Sequence, residues 1–471
     1  MRKHRTELLR LALSGLLVTG VMAARSDAQA ERPNIVILFA DDLGYGDLTC
    51  YGHPTIRTPH LDRMVREGTR FTDFYSAAPV CTPSRAALLT GRLPLRSGMT
   101  SDTRRVLFPN SRGGLPAEEI TLAEALKGAG YRTACIGKWH LGHKPEFLPT
   151  RNGFDSYFGI PYSNDMDRVP TAGGPSGSLS PKVEWFNVPL MRNETVVERP
   201  ADQLTLTRRY SEEASKFIKA NRRSPFFLYL PFTMPHVPLF ASKEFAGKSP
   251  RGLYGDVVEE LDSAVGRVLD TLRAEGLSRK TLVVFTSDNG PWLTQRLAGG
   301  SAGLLRDGKG STWEGGMREP AIAWWPGKVR AGRVCRGVAS TLDLFPTCLA
   351  LAGVQPPADR PIDGHDISGL LKGDERSPRD TYFFYRDTQL YAVRKGAFKA
   401  HYLTRTGYGQ APAVRHDPPL LFNLEVDPSE TTDVAAAHPE VVREIAAITE
   451  RHRAGMVAGR NQLDDIDPPA R

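Results

Sequence analysis

The sequence contains no apolar run long enough to cross a bilayer as a permanent anchor. The one apolar stretch near the start, residues 11–24, is too short, follows a basic segment at residues 1–10 and precedes Ala28-Gln29-Ala30, which fits an A-x-A cleavage site. These features predict a signal peptide at residues 1–30, removed after Ala30. We therefore expect an exported protein, periplasmic or secreted, without stable membrane insertion.

The chain also lacks an internal repeat and any basic tract of the kind that binds nucleic acid. Its 61 Lys and Arg against 53 Asp and Glu give a formal charge of +8. Loss of residues 1–30 removes five basic and two acidic residues, which lowers the charge to +5. The excess of positive charge favours anionic substrates. Because it is spread along the chain and includes no basic tract, nucleic acid is excluded as an expected partner.

Cysteine is scarce, with five in 471 residues. Cys81 belongs to a motif at residues 81–92. The spacing of the other four leaves their pairing open, because an exported protein can form disulfides. Cys135 lies in the middle of a predicted strand and is expected to be a buried free thiol. The other three are Cys50, Cys335 and Cys348.

The run CTPSRAALLTGR, residues 81–92, predicts a helix that begins beside Cys81. Proline suits the first helical position, because its φ is already helical and it gives up only an orphan N–H. Cys81 would then lie at the helix mouth, where free N–H groups and the helix dipole stabilise negative charge. Arg85 lies four residues on, on the same face. The segment thus presents a modifiable nucleophile beside a fixed cation.

Four short apolar runs predict buried strands, and polar side chains follow each of them. In an open α/β sheet, the ligand crevice lies beyond the carboxyl ends of the strands, so clusters distant in sequence can meet there. The runs are residues 34–40, 131–136, 226–230 and 281–286, followed by Asp41-Asp42, Gly137-Lys138-Trp139-His140, Met234-Pro235-His236 and Ser287-Asp288-Asn289.

Two of these clusters carry oxygen donors alone: Asp41 and Asp42 in one, Asp288 and Asn289 in the other. Carboxylates and an amide carbonyl suit a hard cation, calcium or magnesium, better than zinc. The alternative is that the two pairs are turn or helix-cap residues.

Lysine and histidine are the other candidate groups. Lysine is a compact cation suited to a tetrahedral oxyanion, and histidine exchanges a proton near neutral pH. The alternatives are that the lysines are solvated charges in loops and that His236, which lies between two prolines, is an ordinary loop histidine. The candidates are Lys138, His140, His236 and Lys309.

The whole set resembles the sulfatase family. C-x-P-S-R followed by a small apolar run and T-G-R is similar to the sulfatase signature, in which an enzyme oxidises the cysteine to formylglycine. GKWHLG at residues 137–142 and KGSTWEGGMR at residues 309–318 are similar to the motifs whose lysines bind sulfate oxygens. Further stretches, including SRGGLP at residues 111–116 and HDPPLL at residues 416–421, resemble the arylsulfatase A-like branch.

This resemblance implies the roles of the site residues. Cys81, as formylglycine hydrate, would be the nucleophile, with Arg85, Lys138, His140, His236 and Lys309 completing the catalytic group. Asp41, Asp42, Asp288 and Asn289, together with residue 81, would hold a divalent cation, calcium in preference to magnesium. Ser163 would lie near the sulfate, and His416 would line the substrate pocket. A formylglycine-generating enzyme is the implied maturation partner.

The expected activity is hydrolysis of a small-molecule or glycan sulfate ester, with release of inorganic sulfate. Two alternatives stay open at this point. A phosphomonoester or phosphonate hydrolase would use the same cation and nucleophile, and an exported binding protein for sulfated glycans would leave Cys81 unoxidised.

We expect an α/β fold with a large mixed, mostly parallel sheet flanked by helices, similar to alkaline phosphatase. The domain at residues 31–360 would contain it, with helices at 254–275 and 342–351. Strands at 382–385 and 390–402, turning at Lys395-Gly396, predict a smaller domain with an antiparallel sheet at residues 361–471. A helix at 439–454 closes the chain. The segment 164–200, rich in Gly, Pro and Ser, is expected to cross the surface.

Overall fold

The computed structural model describes residues 32–170, 173–175, 177–408 and 411–468. The predicted signal peptide lies outside these residues and stays a prediction. Among the helices of the described ranges, none combines the length and the apolar character needed to cross a membrane.

Eleven strands form one large mixed sheet. The order is β10-β2-β9-β8-β1-β7-β3-β4-β5-β6, and β11 pairs with β2. The central strands β8, β1, β7 and β3 run parallel, whereas β9 is antiparallel to both of its neighbours. The strands are β1 (Asn34–Ala40), β2 (Thr69–Tyr75), β3 (Arg132–Ile136), β4 (Ser156–Gly159), β5 (Leu190–Arg192), β6 (Thr195–Glu198), β7 (Phe226–Pro231), β8 (Thr281–Ser287), β9 (Arg318–Trp324), β10 (Arg333–Cys335) and β11 (Ala339–Ser340).

Strand β1 shows why this sheet is buried on both faces. Side chains alternate across a strand, and here both faces are apolar. Val36 and Leu38 pack in one hydrophobic core, and Ile35 and Ile37 pack in the other. All four are fully buried. The two cores therefore lie on opposite faces of the sheet, each covered by helices.

The helices begin and end close to the predicted positions. The predicted helix at 254–275 spans Leu253–Ala274, and the one at 342–351 spans Leu344–Ala352. The described helices are α1 (Pro59–Glu67), α2 (Cys81–Thr90), α3 (Pro94–Ser97), α4 (Leu122–Gly128), α5 (Leu206–Ala220), α6 (Leu253–Ala274), α7 (Glu314–Met317), α8 (Leu344–Ala352), α9 (Ser368–Lys372) and α10 (Pro439–Ala454).

A second, antiparallel sheet of four strands follows toward the C-terminus, in the order β12-β13-β14-β15. With the mixed sheet, it confirms the predicted fold class. The division at residue 360 stays a prediction. The strands are β12 (Thr381–Arg386), β13 (Gln389–Lys395), β14 (Phe398–Thr404) and β15 (Val414–Asn423).

The described residues of segment 164–200 are exposed or half-buried over much of their length, as expected for a surface course, but the segment also contains two strands that its composition did not predict. Strands β5 and β6 within it form a hairpin that extends the large sheet beyond β4. They are three and four residues long, so the surrounding Gly, Pro and Ser outweigh their apolar pattern in a sequence window.

All five cysteines are free, including Cys135, which is fully buried in β3. The expectation of a buried free thiol at Cys135 is therefore confirmed. The other cysteines, whose disulfide pairing the spacing left open, form no disulfide bond.

Candidate active site

The register of the sheet brings the two oxygen-donor clusters together. Ala40 pairs with Ser287 at the ends of the parallel strands β1 and β8. Asp41 and Asp288 therefore leave the sheet side by side. Beyond them, the Asp42 N–H donates to Asp288 Oδ1 at 3.1 Å, and Asn289 Nδ2 donates to Asp42 Oδ1 at 2.7 Å.

Helix α2 begins at Cys81 and points its first turn at this cluster. Cys81 Sγ lies 3.6 Å from Asp41 Oδ1 and is 2% exposed. The expectation for proline was wrong in detail, because Pro83 is the third helical residue and not the first. The first four N–H groups of a helix are all orphans, so proline costs no hydrogen bond there either.

Arg85, one turn into α2, is wholly buried and still fully paired. Its Nη2 and Nε donate to Asp288 Oδ2 at 2.7 and 3.1 Å, and its Nη1 donates to the Lys138 carbonyl at 3.0 Å. A buried guanidinium needs such partners, because an unpaired buried charge is costly. Arg85 thereby joins the ends of β3 and β8 to the start of α2.

Lys138 follows β3 and reaches the same cluster from the other side. Its Nζ lies 2.6 Å from Asp41 Oδ2 and donates to Ser163 Oγ at 3.0 Å. The backbone approaches closely here, because a Cβ on Gly137 would lie 1.8 Å from the Pro231 carbonyl oxygen. The φ of +130° at Gly137 also favours glycine.

Lys309 and His236 both face Asp42. Lys309 Nζ lies 2.8 Å from Asp42 Oδ2, and His236 Nε2 lies 3.6 Å from the same oxygen. The other ring nitrogen of His236, Nδ1, is 2.5 Å from the Val237 carbonyl oxygen. This contact orients the ring so that Nε2 points at the cluster.

His140 has one ring nitrogen in use and one free. Its Nε2 lies 2.8 Å from the Leu107 carbonyl, whereas Nδ1 is buried without a hydrogen-bond partner in the described chain. Its backbone has a φ of 59°, and that of Asp42 is 62°. Left-handed backbone is uncommon outside glycine, and such strain clusters at functional sites.

The centre of the cluster balances three carboxylates against three cations, all at most 3% exposed. Although burial raises the pKa of Asp41, the ammonium of Lys138 and the other nearby cations outweigh it and hold that pKa below its usual value. Burial raises the pKa of Asp42 to about 7 despite the opposing charge of Lys309. The carboxylates are Asp41, Asp42 and Asp288, and the cations are Arg85, Lys138 and Lys309.

Burial also sets the state of the two histidines. It lowers the pKa of His140 and of His236 well below the usual value, and Lys138 and Lys309 respectively add to the effect. Both rings are therefore neutral at physiological pH, and a neutral ring has one nitrogen that accepts a proton.

The donor set fits a divalent cation. One ligand atom from each of Asp41, Asp42, Cys81 and His236 lies within 4.8 Å of the others. Asp288, predicted as a ligand, is not in this group of four, and its oxygens accept hydrogen bonds from Arg85 and from the Asp42 N–H. Asn289 Oδ1, the fifth predicted donor, is buried and has no hydrogen-bond partner. An unpaired buried acceptor beside carboxylates is what a hard cation would satisfy.

A cavity of about 450 Å³ opens from this cluster. Cys81, His140, Ser163, His236 and Lys309 line it, so five of the predicted residues share one chamber. His416 is not among its lining residues, because it lies on β15 with Nε2 2.8 Å from Thr404 Oγ1. The substrate contact assigned to His416 by resemblance stays a prediction.

The cavity also has lining residues that no motif indicated. The rings of Trp292 and Tyr408 lie 4.8 Å apart and form one wall, and Lys309 Nζ lies 4.3 Å from the Trp292 centroid. Arg104 and Arg105 come from the loop before Val106. Trp292 could have been suggested only by the sequence that follows β8, Asp288-Asn289-Gly290-Pro291-Trp292. Tyr408 and the two arginines lie in loops without a motif.

Two family models match the chain. The model described as "Sulfatase" covers residues 33–354, and the one described as "C-terminal region of aryl-sulfatase" covers residues 377–470.

Similar proteins cover nearly the whole chain. Human arylsulfatase A is 44% identical over 94% of this chain and 92% of its own length. The N-acetylgalactosamine-6-sulfatase of Sus scrofa is 40% identical over 98% of this chain and 92% of its own. Among solved structures, Ps i-CgsB in complex with k-i-k-neocarrahexaose has a TM-score of 0.77 and 31% identity, covering 92% of this chain and 95% of that one.

Proposed function

Because this chain belongs to the sulfatase family, whose members hydrolyse sulfate esters, we propose that it does so with a formylglycine nucleophile made from Cys81 and with a bound divalent cation. Calcium is the cation we favour over magnesium. The observation that carries the proposal is the position of Cys81 at the start of α2, 3.6 Å from Asp41 and in the same cavity as Lys309 and two histidines.

The cation site we assign is formed by Asp41, Asp42, Asp288, Asn289 and residue 81. A bound dication would supply Lewis-acid stabilisation of negative charge at the sulfuryl group. The three carboxylates are already balanced by Arg85 and the two lysines, so a dication would leave the site positive and suited to an anionic ester.

The oxygens of the sulfuryl group would bind to the two lysines. Lys138 Nζ and Lys309 Nζ contact different carboxylates, Asp41 and Asp42, from opposite sides of the cluster. Each ammonium keeps further N–H donors free for a ligand oxygen. Arg85 is held by Asp288 and stabilises charge near residue 81. Ser163 contributes a hydroxyl beside Lys138.

Two proton transfers complete the scheme. Lys309 would protonate the departing alcohol, or His236 would do so after it has taken up a proton at Nε2. His140, through its free Nδ1, would take the proton of the hydroxyl that remains on residue 81. Formylglycine hydrate supplies two hydroxyls on one carbon, one to attack sulfur and one through which sulfate is expelled. A cysteine thiol has no second hydroxyl and would stop after transfer.

Sulfated sugars and aryl sulfates are the substrate class that we propose. The similar structure Ps i-CgsB is in complex with k-i-k-neocarrahexaose, and another similar protein is an N-acetylgalactosamine-6-sulfatase. We also propose export through the predicted signal peptide and maturation by a formylglycine-generating enzyme, which would supply the oxidant.

Mass spectrometry of the peptide that carries residue 81 tests the nucleophile. We expect an active preparation to contain formylglycine there. Activity with only unmodified cysteine at position 81 would overturn the scheme. Comparing turnover of 4-nitrophenyl sulfate and 4-nitrophenyl phosphate tests the ester class, and preference for the phosphate would favour the phosphohydrolase alternative.

A further inference from the structure

The loop that carries Arg104 and Arg105 places two guanidiniums at the cavity, beyond the proposed sulfate-binding lysines. The Arg105 guanidinium lies 4.2 Å from the centroid of the Tyr408 ring, and Lys309 Nζ lies 5.9 Å from the same centroid. Both cations therefore lie beside the same aromatic ring of the cavity lining, so a ligand bound at Lys309 has a second cation near that ring.

Arg105 is available to a ligand. No carboxylate of the described residues lies within 4.0 Å of its guanidinium to form an ion pair. The neighbouring Asp387 is paired instead with Arg386, at 3.7 Å. Arg104 is more engaged, since its Nη2 donates to Asn110 Oδ1 at 2.7 Å and its guanidinium lies 4.9 Å from the Phe108 centroid. Arg105 therefore has more of its donor groups free for an anion.

Three further side-chain atoms of the lining residues lack partners. Trp292 Nε1 and Arg104 Nε are donors and Asp165 Oδ1 is an acceptor, and all three are buried without a hydrogen bond in the described chain. Buried polar groups are normally paired, so these atoms are suited to a ligand that both donates and accepts. Sugar hydroxyls do both, whereas the ring of a simple aryl sulfate does neither.

Resting on the proposed function, we infer that the natural substrate is a sulfated sugar with a second sulfate group, which Arg105 binds. The first sulfate occupies the site of Lys138 and Lys309. The sugar lies against Trp292 and Tyr408, with hydroxyls at Trp292 Nε1 and Asp165 Oδ1. Arg104 flanks the second anion from the outer side.

The test compares methyl galactoside 6-sulfate with its 2,6-, 3,6- and 4,6-disulfates. The kcat/KM for loss of the first sulfate is measured in the mature enzyme and in Arg105→Gln, Arg105→Lys and Arg330→Gln. Arg330 is exposed and lies outside the cavity lining, so it serves as the matched control. 4-Nitrophenyl sulfate is assayed alongside.

A charge-assisted contact corresponds to a factor of about ten or more. We expect at least one disulfate to exceed the monosulfate by that factor. Arg105→Gln should remove most of the advantage, Arg105→Lys should keep part of it, and Arg330→Gln should keep all of it.

Equal kcat/KM for the monosulfate and every disulfate would overturn the inference, as would an advantage that persists in Arg105→Gln. Turnover of 4-nitrophenyl sulfate without release from any sugar sulfate would also overturn it while leaving the proposed function in place. Release from no sulfate ester at all, in a preparation with formylglycine at position 81, contradicts the proposed function itself.

Discussion

Two buried clusters of charged side chains among the described residues differ in the polar atoms that lie beside their paired carboxylates. The first is the active-site cluster, Asp41, Asp42, Asp288, Arg85, Lys138 and Lys309. The second, here called the inter-sheet cluster, joins the antiparallel sheet to the large sheet. Its members are Asp73, Glu314, Arg318, Arg394, Lys399, His401 and Glu430.

In the inter-sheet cluster, every carboxylate oxygen has a protein partner. Glu314 Oε1 accepts from Lys399 at 2.8 Å, and Glu314 Oε2 accepts from the Tyr75 hydroxyl at 2.7 Å and from Arg318 at 3.2 Å. Glu430 Oε1 contacts His401, and its Oε2 accepts from the Glu314 N–H. This arrangement leaves no carboxylate oxygen for a ligand, and its role is to hold the two sheets together.

The carboxylate oxygens of the active-site cluster are paired as well, but two acceptors beside it, Asn289 Oδ1 and His140 Nδ1, have no partner in the described chain. The inter-sheet cluster has one such atom, His401 Nδ1, and none of its members lines the active-site cavity. Buried polar groups without partners are costly, so a protein retains them where a ligand uses them. We therefore expect substitutions in the two clusters to have different effects. Changes in the first should affect turnover, and changes in the second should affect stability.

The largest effect is expected at residue 81. Cys81→Ala should lower kcat/KM by at least about 10⁴-fold, because it removes the nucleophile. Sulfate release and thermal unfolding would be measured together, and the unfolding midpoint should stay close to that of the parent. Cys81→Ser should instead stall, leaving sulfate on residue 81 in the mass spectrum. Cys50→Ala is the control, since Cys50 lies outside the site, and equal loss there would contradict the assignment.

The next effect belongs to the inter-sheet cluster. Glu314→Gln removes one of two charge partners from the buried Lys399 and from Arg318, which keep Glu430 and Asp73 respectively, and should lower the free energy of unfolding by about 3 kcal/mol. Urea unfolding measures it. The exposed Glu184→Gln, as control, should stay within about 0.5 kcal/mol. If Glu314→Gln abolished turnover of the folded protein without changing stability, the division between the clusters would fail.

Acid should weaken the inter-sheet cluster through the same residue. Although burial opposes it, Lys399 and then Arg318 lower the pKa of Glu314 from 4.5 to about 2. Because the folded value is depressed, the stabilisation is complete above pH 4.5 and is lost as the pH falls toward 2. This contribution is about 3 kcal/mol. Urea unfolding between pH 5 and pH 2, within the range where the protein stays folded, should show a shallower fall in Glu314→Gln than in the parent; identical pH profiles would refute this.

The smallest effect is that of the metal ion on stability. Calcium at about 100 times its Kd should raise the free energy of unfolding by about 2.7 kcal/mol, since only the folded cluster binds it. A chelator should reverse the gain and abolish sulfate release. Asn289→Ala should reduce the calcium-dependent increment, whereas Asn187→Ala, away from the cluster, should keep it. No increment in the parent protein would argue against a cation at this cluster.

Local sequence pattern predicted the elements of the fold well. Strand β1 and helix α10 have the predicted bounds, because a β-branched apolar run and a proline at the start of an amphipathic helix are decided by neighbouring residues. The hairpin of β5 and β6 was missed, since such short edge strands depend on pairing with β4 and not on their own composition.

The motif residues of the candidate site were predictable from the sequence, but the other residues that line its cavity were not. Asp41, Asp288 and Cys81 stand next to strong element boundaries, so a pattern of strand ends and a helix start identifies them. Arg105, Trp292 and Tyr408 come from loops far apart in sequence, and nothing local indicates that they share one wall. His416 is likewise absent from the cavity lining, and its side chain forms a hydrogen bond with Thr404 on the neighbouring strand β14.

The sequence alone indicated the candidate residues Asp41, Cys81 and Asp288, because each lies directly beside the end of a strand or the start of a helix whose bounds are set locally. The tertiary fold, in contrast, sets the distances that pair each of these buried charges and that leave Asn289 Oδ1 and His140 Nδ1 without a partner. The register of parallel strands and the docking of the second sheet set those distances, and both depend on contacts between residues hundreds of positions apart.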